Sequence, residues 1–262
     1  MNPFFFGSSK SPLFGAYHAP TNQPARPRGV VICNPFGDEA LKAHRALLQL
    51  ARTLADARFH VLRFDYHGTG DSFGEDQQAR VARWVEDIGT ATDELKDTAG
   101  VNKVSLVGLR LGGTLAALAG RERRDLDRIA LWDPVIDGRG YVAFLRRAHE
   151  AFVKEEFGPD GPDDGIVLRE DEIMGFPFPR ELRTELEAID LASLEPNRLR
   201  QVAVIASTRG AELERLHQHF EAEKVETAIM HVPVGVNWNS DEAMESSLVP
   251  KEALDAIVEA LS

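Results

Sequence analysis

The sequence predicts an α/β protein with a mostly parallel sheet that is flanked by helices. Short apolar runs alternate with longer segments in which apolar residues recur at helical spacing, as expected where strands and helices follow each other in a parallel sheet. The chain has 262 residues, 43% of them hydrophobic and 27% charged, which is the balance of a folded globular chain. Several of the apolar runs also end in turns that contain glycine or proline, where a strand would leave the sheet.

The predicted strands of the sheet are short and are separated by helices. Strands are predicted at residues 29–33, 60–65, 104–107, 128–132, 202–206 and 226–232. Helices are predicted at residues 41–57, 81–95, 111–120, 211–223 and 250–261. We predict an antiparallel hairpin at the sheet edge for residues 4–18, although polar and apolar residues alternate only weakly there.

Residues 138–197 interrupt this alternation. The segment is rich in charged residues at helical spacing and contains two inserts of glycine and proline, at 158–162 and 175–179. The sheet pattern resumes at Val202. We therefore predict a core formed by residues 1–137 and 198–262, with a helical cap inserted at 138–197; a helical decoration with no binding role is the alternative.

Composition and charge exclude several classes of function. The net charge of −12 disfavours nucleic-acid binding and attachment to anionic membranes, both of which need a basic surface. The apolar runs are far shorter than the ~20 residues that span a bilayer. The first residues lack the pattern of a signal peptide, so we expect a soluble, cytoplasmic protein. Cys33 is the single cysteine, which rules out a disulfide within the chain and a cysteine-based zinc site.

Two stretches resemble the α/β-hydrolase superfamily. In residues 104–117 a predicted strand is followed by a tight turn between Gly108 and Gly112 and then by a helix, which is the pattern of a nucleophile elbow. Residues 63–72 resemble that family's turn after its fourth strand. Segments 33–39, 108–112 and 131–134 are similar to a bacterial branch of serine-aminopeptidase-like, exosortase-system-associated hydrolases. The resemblance implies the α/β-hydrolase fold with a cap, and hydrolytic chemistry on an acyl bond.

Arg110 occupies the position at which the resemblance implies a nucleophile. A guanidinium has no usable lone pair and stays protonated at any working pH, so it cannot be acylated as serine can. Ser105 lies inside the predicted strand, five positions earlier, and would not replace it.

The other two positions of the implied triad are vacant as well. The segment after the strand at 202–206 has no carboxylate before Glu212. In the loop after the last strand, Asn237 stands where the family has histidine, and His231 comes six residues too early. We therefore expect no Ser-His-Asp triad.

The same positions still form a candidate binding site. The amides of Leu111 and Gly112 begin a helix, where the positive end of the helix dipole favours an anion. The turn with Phe36 and Gly37 resembles the family's second oxyanion donor, and Asn34, just before it, is a further candidate ligand-binding residue. Added to these is the cation of Arg110, and together they would hold a carboxylate, a phosphate or a sulfate. The other candidate ligand-binding residues are Thr208, Asn237 and Trp238.

Arg110 has a second interpretation, as one half of a structural ion pair. The strand that ends at Trp132 is predicted to neighbour the elbow strand, so Asp133 is the expected partner, at about 2.7–3.2 Å. Asp38 and Glu39 are the alternatives on the other side. Both interpretations can hold in part, because a guanidinium has five N–H donors.

The remaining reactive residues are weaker candidates. Asp133, Asp65 and His67 follow strand ends and are the weak catalytic candidates, although such residues often fix turns through backbone hydrogen bonds. Ser207 and Thr208 have no histidine to activate them, and a buried Cys33 is more typical of a packing residue. We expect no metal, because His217 and His219 point to different faces of a helix, and no cofactor, because the short glycine motif at 68–70 does not make a dinucleotide site.

Three functions remain open. The first is a member of the hydrolase fold that has lost the triad and binds a small acyl or anionic molecule under its cap. The second is a noncanonical hydrolase or acyltransferase that acts on an ester, thioester or amide, for example by activating water from Asp65, Asp133 or His67. The third is a scaffold that binds a partner protein through its cap.

Overall fold

A computed structural model describes residues 1–158, 171–233, 238 and 249–262. The strands are β1 (Asn2–Ser8), β2 (Ser11–His18), β3 (Arg28–Cys33), β4 (His60–Phe64), β5 (Lys103–Leu109), β6 (Leu126–Trp132), β7 (Glu172–Ile173), β8 (Phe176–Pro177), β9 (Gln201–Ala206) and β10 (Glu226–His231). The helices are α1 (Asp38–Asp56), α2 (Val81–Ala99), α3 (Leu111–Gly120), α4 (Gly138–Phe157), α5 (Arg180–Glu187), α6 (Ala211–Ala222) and α7 (Lys251–Leu261).

The main sheet of the described residues has eight strands in the order β1-β2-β4-β3-β5-β6-β9-β10. The pairs β1–β2 and β2–β4 are antiparallel and the other neighbours are parallel, which confirms the predicted α/β class. Because β3 lies between β4 and β5, the carboxyl ends of these three strands meet at one edge of the sheet. Turns that leave them are therefore the natural place for a site.

The predicted edge hairpin is confirmed despite its weak alternation. Strands β1 and β2 pair in register from Asn2–Tyr17 to Ser8–Ser11. Phe6 and Leu13 of this hairpin are buried in the core. Burial of these two side chains against the sheet, rather than a regular alternation along the strand, fixes which face of the hairpin points inward.

Helices cover both faces of the sheet. On one face α1 and α7 pack through side chains such as Leu50, Leu54 and Ile257, all of which are fully buried. On the other face α2, α3 and α6 pack through side chains such as Trp84 and Phe220. No helix in the described parts of the chain combines the length and the apolar character that crossing a membrane requires.

The segment between β6 and β9 holds α4, the small hairpin β7–β8, α5 and a 3-10 turn at Leu191–Ser193. Residues 159–170, including most of one glycine-proline insert, lie outside the described residues. The hairpin is absent from the sequence predictions. Its two-residue turn consists of Met174 and Gly175, both with positive φ, which is the geometry of the tight hairpin turns that match the strand twist.

Candidate functional site

The turn between β5 and α3 has the sharp geometry of the predicted elbow. Arg110 has φ 54° and ψ −124°, a strained conformation for a residue with a Cβ. Glycines make the turn possible. A Cβ on Gly108 would lie 2.2 Å from the carbonyl oxygen of Gly112, and one on Gly112 would lie 2.2 Å from the carbonyl oxygen of Cys33. The backbone therefore holds the side chain at position 110 beyond the end of the sheet.

The Arg110 guanidinium is held by two acceptors. Its Nε donates to Oε1 of Glu39 at 2.9 Å, and its Nη1 donates to the backbone carbonyl of Asp133 at 3.2 Å. The Glu39 side chain is only 1% exposed, whereas that of Arg110 is 23% exposed. Burial lowers the pKa of Arg110, but the charge and hydrogen bond of Glu39 raise it by more, so the guanidinium stays protonated.

A tyrosine from α4 completes this cluster. The hydroxyl of Tyr141 donates to Oε2 of Glu39 at 2.8 Å, and its ring lies 5.8 Å from the guanidinium carbon of Arg110. Each oxygen of the buried carboxylate therefore accepts a hydrogen bond. Burial, followed by the charge of Glu39, raises the pKa of Tyr141 well above its usual value. We call Arg110, Glu39 and Tyr141 the elbow network; it joins the elbow, α1 and α4.

The ion-pair interpretation of Arg110 is confirmed, but the expected partner Asp133 is wrong. Arg110 contacts only the backbone carbonyl of Asp133, whose carboxylate accepts the N–H and the hydroxyl of Ser207 at 2.7 and 2.9 Å. Asp133 has φ 43°, and its own N–H donates to Ile205, so the turn directs the side chain towards β9. Burial raises the pKa of Asp133.

The other strand ends carry no histidine near Arg110 among the described residues. Ser207 is engaged with Asp133, and Thr208 is exposed. Asn237 lies outside the described residues. Trp238 is buried and stacks edge-on against Trp132 at 5.4 Å, in the layer of α1 and α7.

A cavity of about 900 Å³ lies over the carboxyl ends of β3 and β4. Its apolar wall contains Phe14, Phe36, Trp84, Leu111, Leu115 and Phe176. Its polar lining contains Asn34, His44, Arg63, Asp65, Thr69, Asp71, Glu75 and Asp76. A concave site that combines an apolar wall with polar groups is typical of small-molecule binding.

The candidate ligand-binding residues divide between this cavity and its surroundings. Asn34, Phe36, Gly37 and Leu111 line the cavity. The Asn34 amide also donates to the carbonyl of Phe64 at 2.8 Å, which ties the turn after β3 to β4. Arg110, Gly112, Thr208 and Trp238 are not among the lining residues. The elbow network therefore borders the cavity at Leu111 rather than forming its wall.

Asp65 and His67 fix the turn after β4. Oδ2 of Asp65 accepts the N–H of Asp71 at 3.1 Å, and burial raises the pKa of Asp65. The backbone N–H of His67 donates to the carboxylate of Asp87 at 2.8 Å. The ring Nδ1 of His67 lies 3.2 Å from the hydroxyl of Ser11. Asp65 also lines the cavity, whereas His67 does not.

The other reactive residues have structural partners. Cys33 is fully buried, and burial raises the pKa of its thiol, so the group is a neutral thiol. His217 contacts Glu221 and His219 contacts the carbonyl of Leu194. Nowhere in the described ranges do three histidine, cysteine or carboxylate side chains lie together as a metal site would require.

Sequence reasoning missed three features of the site: Tyr141 in the elbow network, and Arg63 and His44 in the cavity lining. Tyr141 comes four residues after Asp137, whose carboxylate caps the start of α4. That cap was the available signal for where the helix begins, and hence for which of its side chains face the core. Nothing in the sequence pattern singles out Arg63, which sits inside an apolar strand.

Comparisons with known proteins agree on the family. The family model of hydrolases described as "serine aminopeptidase, S33" matches residues 24–157, just over half of the chain. None of the curated proteins matches the chain in sequence.

Solved structures similar to the chain are α/β hydrolases at low sequence identity. Est1E from Butyrivibrio proteoclasticus, solved with ferulic acid, is 18% identical with a TM-score of 0.66, covering 98% of this chain and 99% of its own. A proline iminopeptidase from Mycobacterium smegmatis is 13% identical with a TM-score of 0.65, covering 99% and 97%. Mouse alpha/beta hydrolase domain-containing protein 10 is 15% identical with a TM-score of 0.60, covering all of both chains. The chain belongs to the S33 serine aminopeptidase-like family of α/β hydrolases.

Proposed function

We propose that this chain is an α/β-hydrolase family member that has lost the serine triad and binds an acyl or anionic molecule in the cavity beside the elbow. The supporting observation is the elbow network. Arg110, at the position where the resemblance implies the nucleophile, has the strained elbow conformation, and its side chain is tied to a buried carboxylate. Strain that persists at a site is evidence that the surrounding structure maintains it.

The lining of the cavity supports binding of a ligand with an apolar body. Its wall is aromatic at Phe36, Trp84 and Phe176, and the first residue of α3, Leu111, opens onto it. A ligand lying there would meet the amino end of α3, where the helix dipole favours a carbonyl or carboxylate oxygen.

We further propose that residues 138–197 act as a cap over this cavity. Phe176 and Pro177 of the small hairpin line the cavity. Tyr141 of α4 fastens the same segment to Glu39. A ligand would then be enclosed between the core and the cap.

The protein is expected not to react with serine-directed fluorophosphonates, because Arg110 rather than serine stands at the elbow and no histidine lies beside it among the described residues. Arg110→Ser alone is expected to remain inactive on short esters, since triad residues act as a unit. Intact-mass spectrometry measures the labelling and a chromogenic ester measures the activity. Stoichiometric labelling of any serine in the natural protein, or esterase activity in Arg110→Ser, would contradict the loss of the triad and favour the noncanonical hydrolase.

Binding in the cavity is tested by filling it. Ala40 of α1 is half-buried and lines the cavity, so Ala40→Trp is expected to weaken binding of octanamide by about 10-fold or more through steric exclusion. Isothermal titration calorimetry measures the affinity. Ala211→Trp, at an exposed position of α6, is the matched control and should bind as the natural protein does. Absence of binding in the natural protein, or equal binding in both variants, would overturn the proposal.

A further inference from the structure

Arg63 is a cation in the cavity lining, and no described residue supplies an acceptor for its Nε. It is half-buried in β4, and its Nε is fully shielded from solvent with no hydrogen-bond partner among the described residues. Asp65 influences it through charge alone and makes no ion pair with it. A guanidinium has five N–H donors, and leaving the one on the shielded Nε without an acceptor is unfavourable. The Arg63 side chain is therefore placed to donate a hydrogen bond to an acceptor atom of a ligand in the cavity.

The groups around Arg63 do not neutralise it. Arg52 adds a second positive charge nearby. His18 lies on the same face of the sheet, and burial, with the charges of Arg63 and Arg52, lowers its pKa to about 4, so it is neutral at pH 7. Asp65 already receives the N–H of Asp71 on one oxygen. Within the described residues, Arg63 is therefore a cation without an ion-pair partner, next to the charge of Asp65.

We propose that Arg63 is an anion subsite that binds the carboxylate of an amphiphilic acid, whose apolar body lies against Trp84 and Phe176. This inference rests on the proposed function, because it assigns the ligand class of the same cavity. It places the charged end of the ligand at β4, whereas Arg110 already has Glu39 as its partner.

The sheet order sets the length of such a ligand. Arg63 is on β4 and Leu111 follows β5, with β3 between them, so the two strands that bring these residues to the cavity are roughly 10 Å apart, which is two strand spacings. A medium-length acyl chain fits this distance, with its carboxylate at Arg63 and its other end near the elbow.

A carboxylate fits this subsite better than a dianionic phosphate. Among the residues that the structure describes, Arg63 is the one arginine or lysine in the cavity lining, which also holds the half-buried carboxylate of Asp65 and the exposed carboxylates of Asp71, Glu75 and Asp76. Salt screens the exposed charges within about 8 Å, so a single negative charge is tolerated beside the half-buried guanidinium of Arg63. A second negative charge would have no partner in the lining.

The test compares octanoate with octanamide, which has the same chain and no charge. Calorimetry is expected to show octanoate binding at least about 10-fold more tightly to the natural protein, and Arg63→Gln is expected to bind both equally. Arg63→Lys keeps the positive charge but lacks the planar guanidinium with its paired N–H donors, so it should retain part of the preference for octanoate. Arg63→Gln is expected to unfold at no lower temperature than the natural protein, because Arg63 makes no hydrogen bond to the described residues.

Arg52→Gln is the matched control, since it removes one positive charge near Arg63 from a side chain that does not line the cavity. Arg52→Gln should keep the preference for octanoate. An equal loss of this preference in Arg52→Gln and Arg63→Gln would mean that it arises from long-range charge rather than from contact with Arg63, and would overturn the subsite. Equal affinities of octanoate and octanamide for the natural protein would overturn the inference while leaving the proposed function intact. Binding of neither molecule would overturn the proposed function itself.

Discussion

Arg110→Met is expected to lower the free energy of unfolding by about 3–5 kcal/mol, because it leaves the carboxylate of Glu39 buried without a counter-charge. Glu39 is 1% exposed, so water cannot replace the guanidinium. The hydrogen bond from Tyr141 remains, but it is a neutral donor and does not balance the charge. Urea denaturation followed by circular dichroism measures the change.

The double variant Arg110→Met with Glu39→Leu separates the ion pair from the elbow itself. Removing both charges at once leaves no unpaired buried ion, so the double variant is expected to be more stable than Arg110→Met alone. Arg215→Met is the control, since Arg215 pairs with Asp190 at an exposed surface, and it should cost less than about 1 kcal/mol. A loss for Arg110→Met as small as that for Arg215→Met would contradict the assigned role of the pair.

The elbow network explains how an elbow can tolerate arginine. The sharp turn depends on backbone contacts of Gly108 and Gly112, which do not involve the side chain at position 110. That side chain can therefore change while the turn stays. In this chain it has become the counter-charge of Glu39, which lies in the first turn of α1, where a carboxylate is favoured by the helix dipole.

The fold was predictable because its signals are local. Each parallel strand is an apolar run followed by a turn, and the helices show one apolar stripe, so α2 begins at the predicted Val81. The end of α2 was harder to place, since it extends to Ala99 and stops only where Gly100 takes a left-handed conformation. Helix ends depend on such backbone conformations, which the apolar pattern does not encode.

The elbow was predictable in position but not in its contacts. The elbow and its arginine follow from the spacing of Gly108 and Gly112 in the sequence. The partner of Arg110 depends on how Asp133 turns at φ 43°, which sends its carboxylate to Ser207 and leaves the guanidinium to Glu39. Rotations of this kind depend on tertiary contacts, and so does the lack of an acceptor for Arg63.

Gly112→Ala is expected to have the other large effect and to prevent stable folding or to cost more than about 3 kcal/mol. A Cβ at this position would lie 2.2 Å from the carbonyl oxygen of Cys33 and 2.5 Å from that of Asn34. Both obstacles are backbone atoms at the end of β3, which is paired with β4 and β5 and cannot move aside as a flexible side chain can. Expression yield and thermal unfolding measure the effect.

Gly210→Ala is the matched control for this substitution, because no atom lies within 4 Å of a Cβ built at Gly210 and its φ of −173° is open to any residue. It should change stability by less than about 0.5 kcal/mol. If Gly112→Ala were as stable as Gly210→Ala, α3 would have to move away from β3 without cost. The sharp turn that places Arg110 beside Glu39 would then not depend on the close approach at Gly112. A large loss in Gly112→Ala alone supports the opposite conclusion, that the packing of α3 against the end of β3 maintains the strained conformation of Arg110.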